Sequence, residues 1–216
     1  MTILVLSNTA NPHFYSLLEK CVTSAIKHSV VIVETNSKLI NKKIPLAEDN
    51  KNVKFVFPQE EFNYNRFLNL GLNTITDNKI IITNNDVEFL PGCIDEINSK
   101  LSTYDSVSPY DLYNSKHNSI LGPCIEGYDI GVHITGCCIG VTRTALNKIG
   151  PFDESFKFWY QDNDYANLLK KHNLRHALLR DAKIKHYGQQ SHVLLGDKHL
   201  SMTHGLETVY KEKWFE

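Results

Sequence analysis

The feature that most constrains the fold is an alternation. Short apolar runs rich in β-branched residues are followed, one after another, by segments whose apolar residues recur at helical spacing. The runs are Thr2–Leu6, Val30–Val33, Val53–Phe57 and Lys79–Thr83, each strand-sized. Between the first two, Pro12 stands where a helix begins, and Phe14, Leu17, Leu18, Cys21, Val22, Ala25 and Ile26 share one face. Asn65–Ile75 repeats the pattern with Phe67, Leu68, Leu72 and Ile75 inward, and Pro91 opens a short helix carrying Ile94, Ile97 and Leu101. Strands alternating with helices imply an α/β domain with a parallel sheet and right-handed crossovers.

The second half is less regular. Ser106–Tyr110 reads as a strand, and the glycines and β-branched residues of Ser119–Val141 predict hairpin-like structure. Arg143–Ile149 is a short helix stopped by Gly150-Pro151. Asn163–His172 is a helix with Tyr165, Leu168 and Leu169 on one side. Ala177–Leu179 and Ile184 read as strand, and Leu206–Trp214 as a closing helix.

Composition narrows the class. A chain of 216 residues buries a core without staples, and Lys+Arg 23 against Asp+Glu 24 excludes a globally basic nucleic-acid coat. The apolar runs fall far short of the roughly 18 residues a membrane helix needs. Met1–Leu6 runs into polar Ser7-Asn8-Thr9 and reads as a first strand rather than a targeting signal. Cys21, Cys93, Cys124, Cys137 and Cys138 are scattered with no C-x-x-C, which predicts reduced thiols and a cytoplasmic location.

In open α/β sheets a ligand sits beyond the carboxyl ends of the strands. Ser7–Asn11, Glu34–Ser37 and Asn84–Glu88 therefore matter most. Asp86, in Asn84-Asn85-Asp86, suits a hard cation that bridges protein to diphosphate; turn formation explains the same residues on local grounds. Trp159-Tyr160-Gln161-Asp162-Asn163-Asp164 sets two acids at a helix start. Asp162 reads either as a helix cap or, given its aromatic neighbours, as the general base of a sugar-stacking site. Trp159 and Tyr160 either line that site or pack beneath Phe152 and Phe156. His186, ending a strand, reads as a structural histidine or as the partner of Asp86 in a metal shell. His192, His199 and His204 match no zinc spacing and read as surface residues.

The order of these pieces resembles a family 2 glycosyltransferase over almost the whole chain, which implies the α/β GT-A (Rossmann-like) fold, a mixed, mostly parallel central sheet flanked by helices. Thr9-Ala10-Asn11 is similar to the T-x-N after the family's first strand. Val31–Ser37 resembles V-V-D-N-x-S, with Glu34 for the acid. Asn69-Leu70-Gly71 resembles N-x-G, and Asn84-Asn85-Asp86 resembles D-x-D with Asn84 for the first acid. Thr135-Gly136, Arg143–Leu146 and Gly150–Glu154 are similar to the family's G-x-x-x, R-x-x-L and G-x-F-D-E. Trp159–Asp164 resembles aromatic-E-D-x-D with Gln161 for Glu, and Ala182–Ser191 resembles A-x-x-x-H-x-G-x-x-S.

The resemblance implies a single catalytic domain over 1–216, with a nucleotide-sugar half (1–101) and an acceptor half (102–216). It implies inverting transfer from a nucleotide-diphosphate sugar, read as a UDP-sugar, with Asp162 as base. Asp86 and His186 would hold a divalent metal, Mn²⁺ or Mg²⁺. Thr9, Asn11, Glu34, Asn69, Asn84 and Asn85 would meet the nucleotide, and Gly136, Trp159 and Gln161 the sugar or acceptor. The acceptor is a glycan, a lipid-linked glycan or hydroxymethylated DNA. The last is suggested by Lys170, Lys171, Arg175, Arg180, Lys183 and Lys185 against a single Asp181. A non-catalytic sugar-nucleotide or glycan-binding domain of the same fold is the alternative, favoured by Asn84 and Gln161 in place of acids. A nucleotidyltransferase is disfavoured, because Ser7–Asn11 has no glycine for a phosphate loop.

Overall fold

The computed structural model describes residues 1–40, 44–188 and 204–216. The elements run β1 (Thr2–Ser7), α1 (Pro12–Ser24), β2 (Ser29–Glu34), α2 (Pro45–Glu48), β3 (Val53–Val56), α3 (Tyr64–Asn73), β4 (Lys79–Asn84), β5 (Val87–Phe89) and α4 (Cys93–Lys100). Then come β6 (Ser106–Asp111), β7 (Cys124–Glu126), β8 (Cys138–Thr142), α5 (Arg143–Ile149), α6 (Gln161–Lys171), β9 (His176–His186) and α7 (Leu206–Phe215). All the described strands join one sheet in the order β3-β2-β1-β4-β8-β6-β9-β5, with β7 on β9. Strands β1, β2, β3, β4, β6 and β9 run one way and β5, β7 and β8 the other, so the sheet is mixed and mostly parallel.

The period of two along β1 divides the core. Ile3 and Val5 pack with Leu18, Cys21 and Val22 of α1 and with Ile94 and Ile97 of α4. Leu4 and Leu6 point the other way, toward Phe67 and Leu72 of α3, Leu146 of α5 and Leu169 of α6. Apolar residues on consecutive positions are thereby buried on both faces, as a helix-covered sheet requires. Helix starts follow local chemistry. Pro12 sits in the first turn of α1, and Asn11 caps it by accepting from the amide of Phe14 at 3.1 Å. Asn63 and Thr142 cap α3 and α5 in the same manner.

Gly71 is needed where α3 crosses the sheet. A Cβ there would overlap Leu4 Cδ1 and lie 2.8 Å from Val33 Cγ2. Gly71→Ala is expected to cost about 1–3 kcal/mol through overpacking. The readout is a lower urea midpoint at unchanged slope.

Several sequence expectations are corrected. Ser119–Val141 does not form a hairpin: β7 pairs with β9, and β8 pairs with β4 and β6. Its glycine and β-branched composition marks extended backbone but carries no information about the distant partners. Ala177–Leu179 and Ile184 are strand, as expected, and lie in one continuous strand, β9. Helix α4 starts at Cys93 after Gly92 in the left-handed region, not at Pro91. Val87–Phe89, for which no strand was predicted, is strand β5, and Asn85-Asp86 form the turn before it. No helix among the described residues is long and apolar enough to cross a membrane. All five cysteines are free, and burial pushes the thiols of Cys21, Cys93 and Cys138 up.

Candidate active site

A cleft of about 740 Å³ opens at the carboxyl ends of β1, β4, β6 and β9. That is the crevice position expected of an α/β sheet, and the volume suits a ligand of nucleotide-sugar size. Asn84, Asn85, Asp86, Gly136, Trp159, Gln161, Asp162 and His186 all line it. Residues distant in sequence, from Asn84 to His186, thus share one cavity.

Strand register gathers the first cluster. Pro109 has no N–H to give a ladder, and the β6–β9 register shifts right after it: Pro109 faces Leu179 while Tyr110 faces Lys183. The shifted ends set Asp111 opposite Ile184, and β5 sets Val87 opposite His186. Asp86, just before Val87, is thereby brought to His186. The Nε2 of His186 lies 3.3 Å from Asp86 Oδ1, an ion-pair distance without hydrogen-bond alignment, and that buried oxygen has no hydrogen-bond partner. Burial works against the His186 imidazolium, but Asp86 and Cys137 together outweigh it and raise the pKa. A proton on His186 therefore neutralises Asp86, and a divalent metal bound there would take that proton's place. Among the described residues no three ligating side chains form a ready-made metal cage.

The second cluster is at the start of α6. The expected cap role of Asp162 is not observed. Tyr160 is the cap residue, with φ 67° and ψ 1°, and Asp162 lies inside the first turn. A left-handed tyrosine is unusual and must be held by its surroundings. Its ring stacks on Tyr210 of α7 at 5.0 Å, and its carbonyl accepts from the Asp164 amide at 2.8 Å. Asp164, 1% exposed, accepts from Trp214 Nε1 and pairs with Lys213 Nζ, both at 2.8 Å. α7 thereby braces the helix start. Asp162 faces the cleft, and burial alone pushes its carboxyl up to about 6. Gly136 lies directly against that carboxylate.

The aromatics divide between the two expected roles. Trp159 is 40% exposed and lines the cleft, at the end of a chain of ring contacts through Phe158 and Phe62 to buried Phe67. Tyr160 does not line it. Phe156 is fully buried against Tyr210.

Four expected nucleotide residues lie outside the lining. Glu34 is buried, accepting at Oε1 from the amides of Thr9 (3.1 Å) and Asn36 (2.7 Å) and at Oε2 from Ser7 Oγ (2.8 Å). It ties the ends of β1 and β2 together. Thr9 is buried behind the cleft, and Asn11 is spent on its cap. Asn69 clamps the backbone N–H and C=O of Phe152 at 2.9 Å each.

Asp111 and Tyr64 are cleft residues that sequence reasoning missed. Tyr64 Oη donates to Asn84 Oδ1 at 3.2 Å. Asp111 was findable as an acid ending a strand run; Tyr64 carries no such signal. The cleft lining holds four carboxylates, Glu60, Asp86, Asp111 and Asp162, and no Lys or Arg among the described residues. None of the six cations in Lys170–Lys185 reaches it. Arg175 pairs with Glu126, Lys185 with Glu88, and Lys170 and Lys171 sit over Tyr128 and Trp214. His192, His199 and Gln189-Gln190-Ser191 of the A-x-x-x-H-x-G-x-x-S resemblance lie outside the described residues, and His204 is exposed.

No family model and no curated protein sequence matches the chain. Solved structures do. The mannosyltransferase PcManGT from Pyrobaculum calidifontis, solved with GDP-Man and Mn²⁺, matches with a TM-score of 0.66 at 15% identity, over 88% of this chain and 57% of that one. S. aureus TarS 1–349 matches at 0.61 and 12% identity, over 85% and 58%. The chain spans less than two thirds of either neighbour's length. At such identities the likeness shows the fold, and the fold is a glycosyltransferase fold.

Proposed function

We propose that the protein is a metal-dependent inverting glycosyltransferase that moves a sugar from a nucleotide-diphosphate donor to an acceptor hydroxyl. One observation carries the reading: buried Asp86 and the partly exposed His186 beside it share a single cleft with an isolated carboxylate, Asp162, whose pKa is raised toward neutrality. The first is suited to a leaving diphosphate and the second to taking a proton. The fold likeness to a mannosyltransferase supports it.

The charge of the cleft supports a metal. A diphosphate entering among four carboxylates, with no Lys or Arg in the described lining, needs a counter-cation to bind. Asp86 and His186 fit one, since Mg²⁺ and Mn²⁺ accept one or two protein ligands and fill the rest with water and phosphate oxygens. A divalent cation held there would offset the charge gathering on the leaving diphosphate. The other steps belong to the chain's own residues. Asn84, fixed by Tyr64, and Asn85 offer polar groups to the donor from the end of β4. Glu34, Thr9 and Asn11 act from behind, by fixing the backbone on which the donor half, 1–101, is built, and Asn69 ties that half to the Phe152 backbone. Trp159 and Gln161 present the acceptor, whose hydroxyl gives its proton to Asp162 as its oxygen attacks the anomeric carbon. The attack comes from the face opposite the diphosphate, the C–O bond to the diphosphate breaks, and the configuration inverts. No enzyme nucleophile is needed.

A glycan or lipid-linked glycan fits this cleft better than DNA, because none of the six cations lines it and Lys170, Lys171, Arg175 and Lys185 are engaged locally. The donor is read as a UDP-sugar from the sequence resemblance, while the mannosyltransferase neighbour was solved with GDP-Man. The deciding test is a panel of UDP-, GDP- and dTDP-sugars assayed for Mn²⁺-dependent thermal stabilisation and hydrolysis. Stabilisation with hydrolysis supports an enzyme, and stabilisation alone a binding domain. No response to any sugar nucleotide overturns the reading. Asp86→Ala is expected to weaken Mn²⁺-dependent donor binding at least about tenfold, the low end for a lost metal contact. Calorimetry with and without Mn²⁺ checks this, and equal donor affinities for wild type and variant in Mn²⁺ would remove Asp86 from the metal site.

A further inference from the structure

We propose that Asp111 is a positioning residue for the cation site: its carboxylate stands behind His186 and keeps the imidazole turned with Nε2 toward Asp86. The proposal rests on the reading of Asp86 and His186 as the cation-holding pair.

The geometry is specific. Asp111 ends β6 and is 6% exposed, with its side chain on the cleft wall. Oδ1 accepts from the backbone amides of Tyr113 at 3.0 Å and His186 at 3.2 Å, so the carboxylate cannot swing away. Oδ2 is left facing the ring, 4.0 Å from His186 Nδ1. The Asp111 amide is fixed as well, donating to Nδ1 of fully buried His117 at 3.0 Å. His186 therefore has a carboxylate on each ring nitrogen: Asp86 on the Nε2 side and Asp111 on the Nδ1 side.

The two acids have different freedom. Asp86 Oδ1 is buried without a hydrogen-bond partner and faces the cleft, ready for a ligand. Asp111 Oδ1 is fully used by backbone. A histidine that ligates through Nε2 carries its proton on Nδ1, and a carboxylate on that side holds both tautomer and ring orientation. The competing explanation is that Asp111 merely closes the turn at Tyr113. Asparagine separates the two. Asp111→Asn keeps an oxygen for the Tyr113 and His186 amides but puts an NH₂ where Oδ2 faced Nδ1. That donor favours the opposite tautomer, with the proton on Nε2, where a cation must bind.

The experiment titrates Mn²⁺ alone into the full chain, following free Mn²⁺ by electron paramagnetic resonance, alongside thermal melts. For Asp111→Asn we expect Mn²⁺ affinity to fall about 10- to 100-fold with the melting temperature unchanged. Asp111→Ser, which keeps an acceptor for the turn but removes the carboxylate, should lose affinity equally, and it serves if the asparagine variant melts early. Wild-type Mn²⁺ affinity in a folded Asp111→Asn or Asp111→Ser chain overturns the proposal and leaves the cation site standing. Failure of the wild-type chain to bind Mn²⁺ overturns the cation site itself, and the role of Asp111 with it.

Discussion

Asp162→Asn is expected to cut sugar transfer by about 10²- to 10⁴-fold, the range spanned by loss of a general base. Donor affinity should be untouched. The reasoning is physical at each step. Asparagine matches the carboxylate in shape, so the packing beside Gly136 is kept. It cannot accept a proton, so the attacking hydroxyl must lose its own to water. Removing a charge that burial disfavours does not cost stability, so the melting temperature should hold or rise. The wild-type pH profile carries a second signature. With the carboxyl pushed up to about 6, the protonated, inactive form dominates below that pH. kcat/KM should climb about tenfold per pH unit below about 6 and flatten above it, and this limb should vanish in the variant. Single-turnover rates with donor titrations by calorimetry test both parts. Transfer at the wild-type rate by Asp162→Asn would remove Asp162 as base.

The strands and helices of the first half were legible because their information is local. Buried β-branched runs and helical periodicity need no knowledge of distant partners, so β1 to β4, α1 and α3 lie close to where the pattern puts them. The second half pairs over long range. Nothing near Cys124 or Cys138 says that one strand will join β9 and the other β4, so a hairpin was the natural misreading. The site shows the same division. Asp86, Asp162 and His186 were visible as acids or a histidine at element ends. Asp111, directly after the Ser106–Tyr110 run, carried the same signal and was missed; its approach to His186 comes from the register shift beside Pro109, which exists only once β6 and β9 are paired. Glu34 was seen but not its surroundings. A carboxylate at a strand end reads as pointing to ligand, while three internal donors absorb it here. Tyr160 is a further case. Its left-handed backbone is held from α7, by Tyr210 on its ring and by Lys213 and Trp214 on Asp164, contacts that no helix-start rule can use.

The same dependence on tertiary contact makes Gly136→Ala the most severe single-methyl change expected in the cleft. A Cβ at Gly136 would overlap both oxygens and Cγ of Asp162. One of the two must move, and the backbone is the less free. The Cys137 carbonyl accepts from the Asn84 amide at 2.9 Å and from Thr83 Oγ1 at 3.0 Å, while the Thr135 carbonyl accepts from the Cys138 amide at 3.1 Å. The segment is stitched to β4 on one side of the glycine and to its own turn on the other. The carboxylate therefore gives way, and displacement of a base by about an ångström costs on the order of 10²-fold in rate. The loss should appear in kcat, with donor binding and the Mn²⁺ requirement retained, since neither involves this glycine. A double-variant cycle identifies the route of the effect. If Gly136 acts through Asp162, adding Gly136→Ala to Asp162→Asn should lower the rate little further, because the group it displaces is already inert. Multiplying losses would instead mean that the glycine meets the acceptor directly. Wild-type kcat in the single variant would mean that the proton is taken by a group other than the carboxylate this glycine faces.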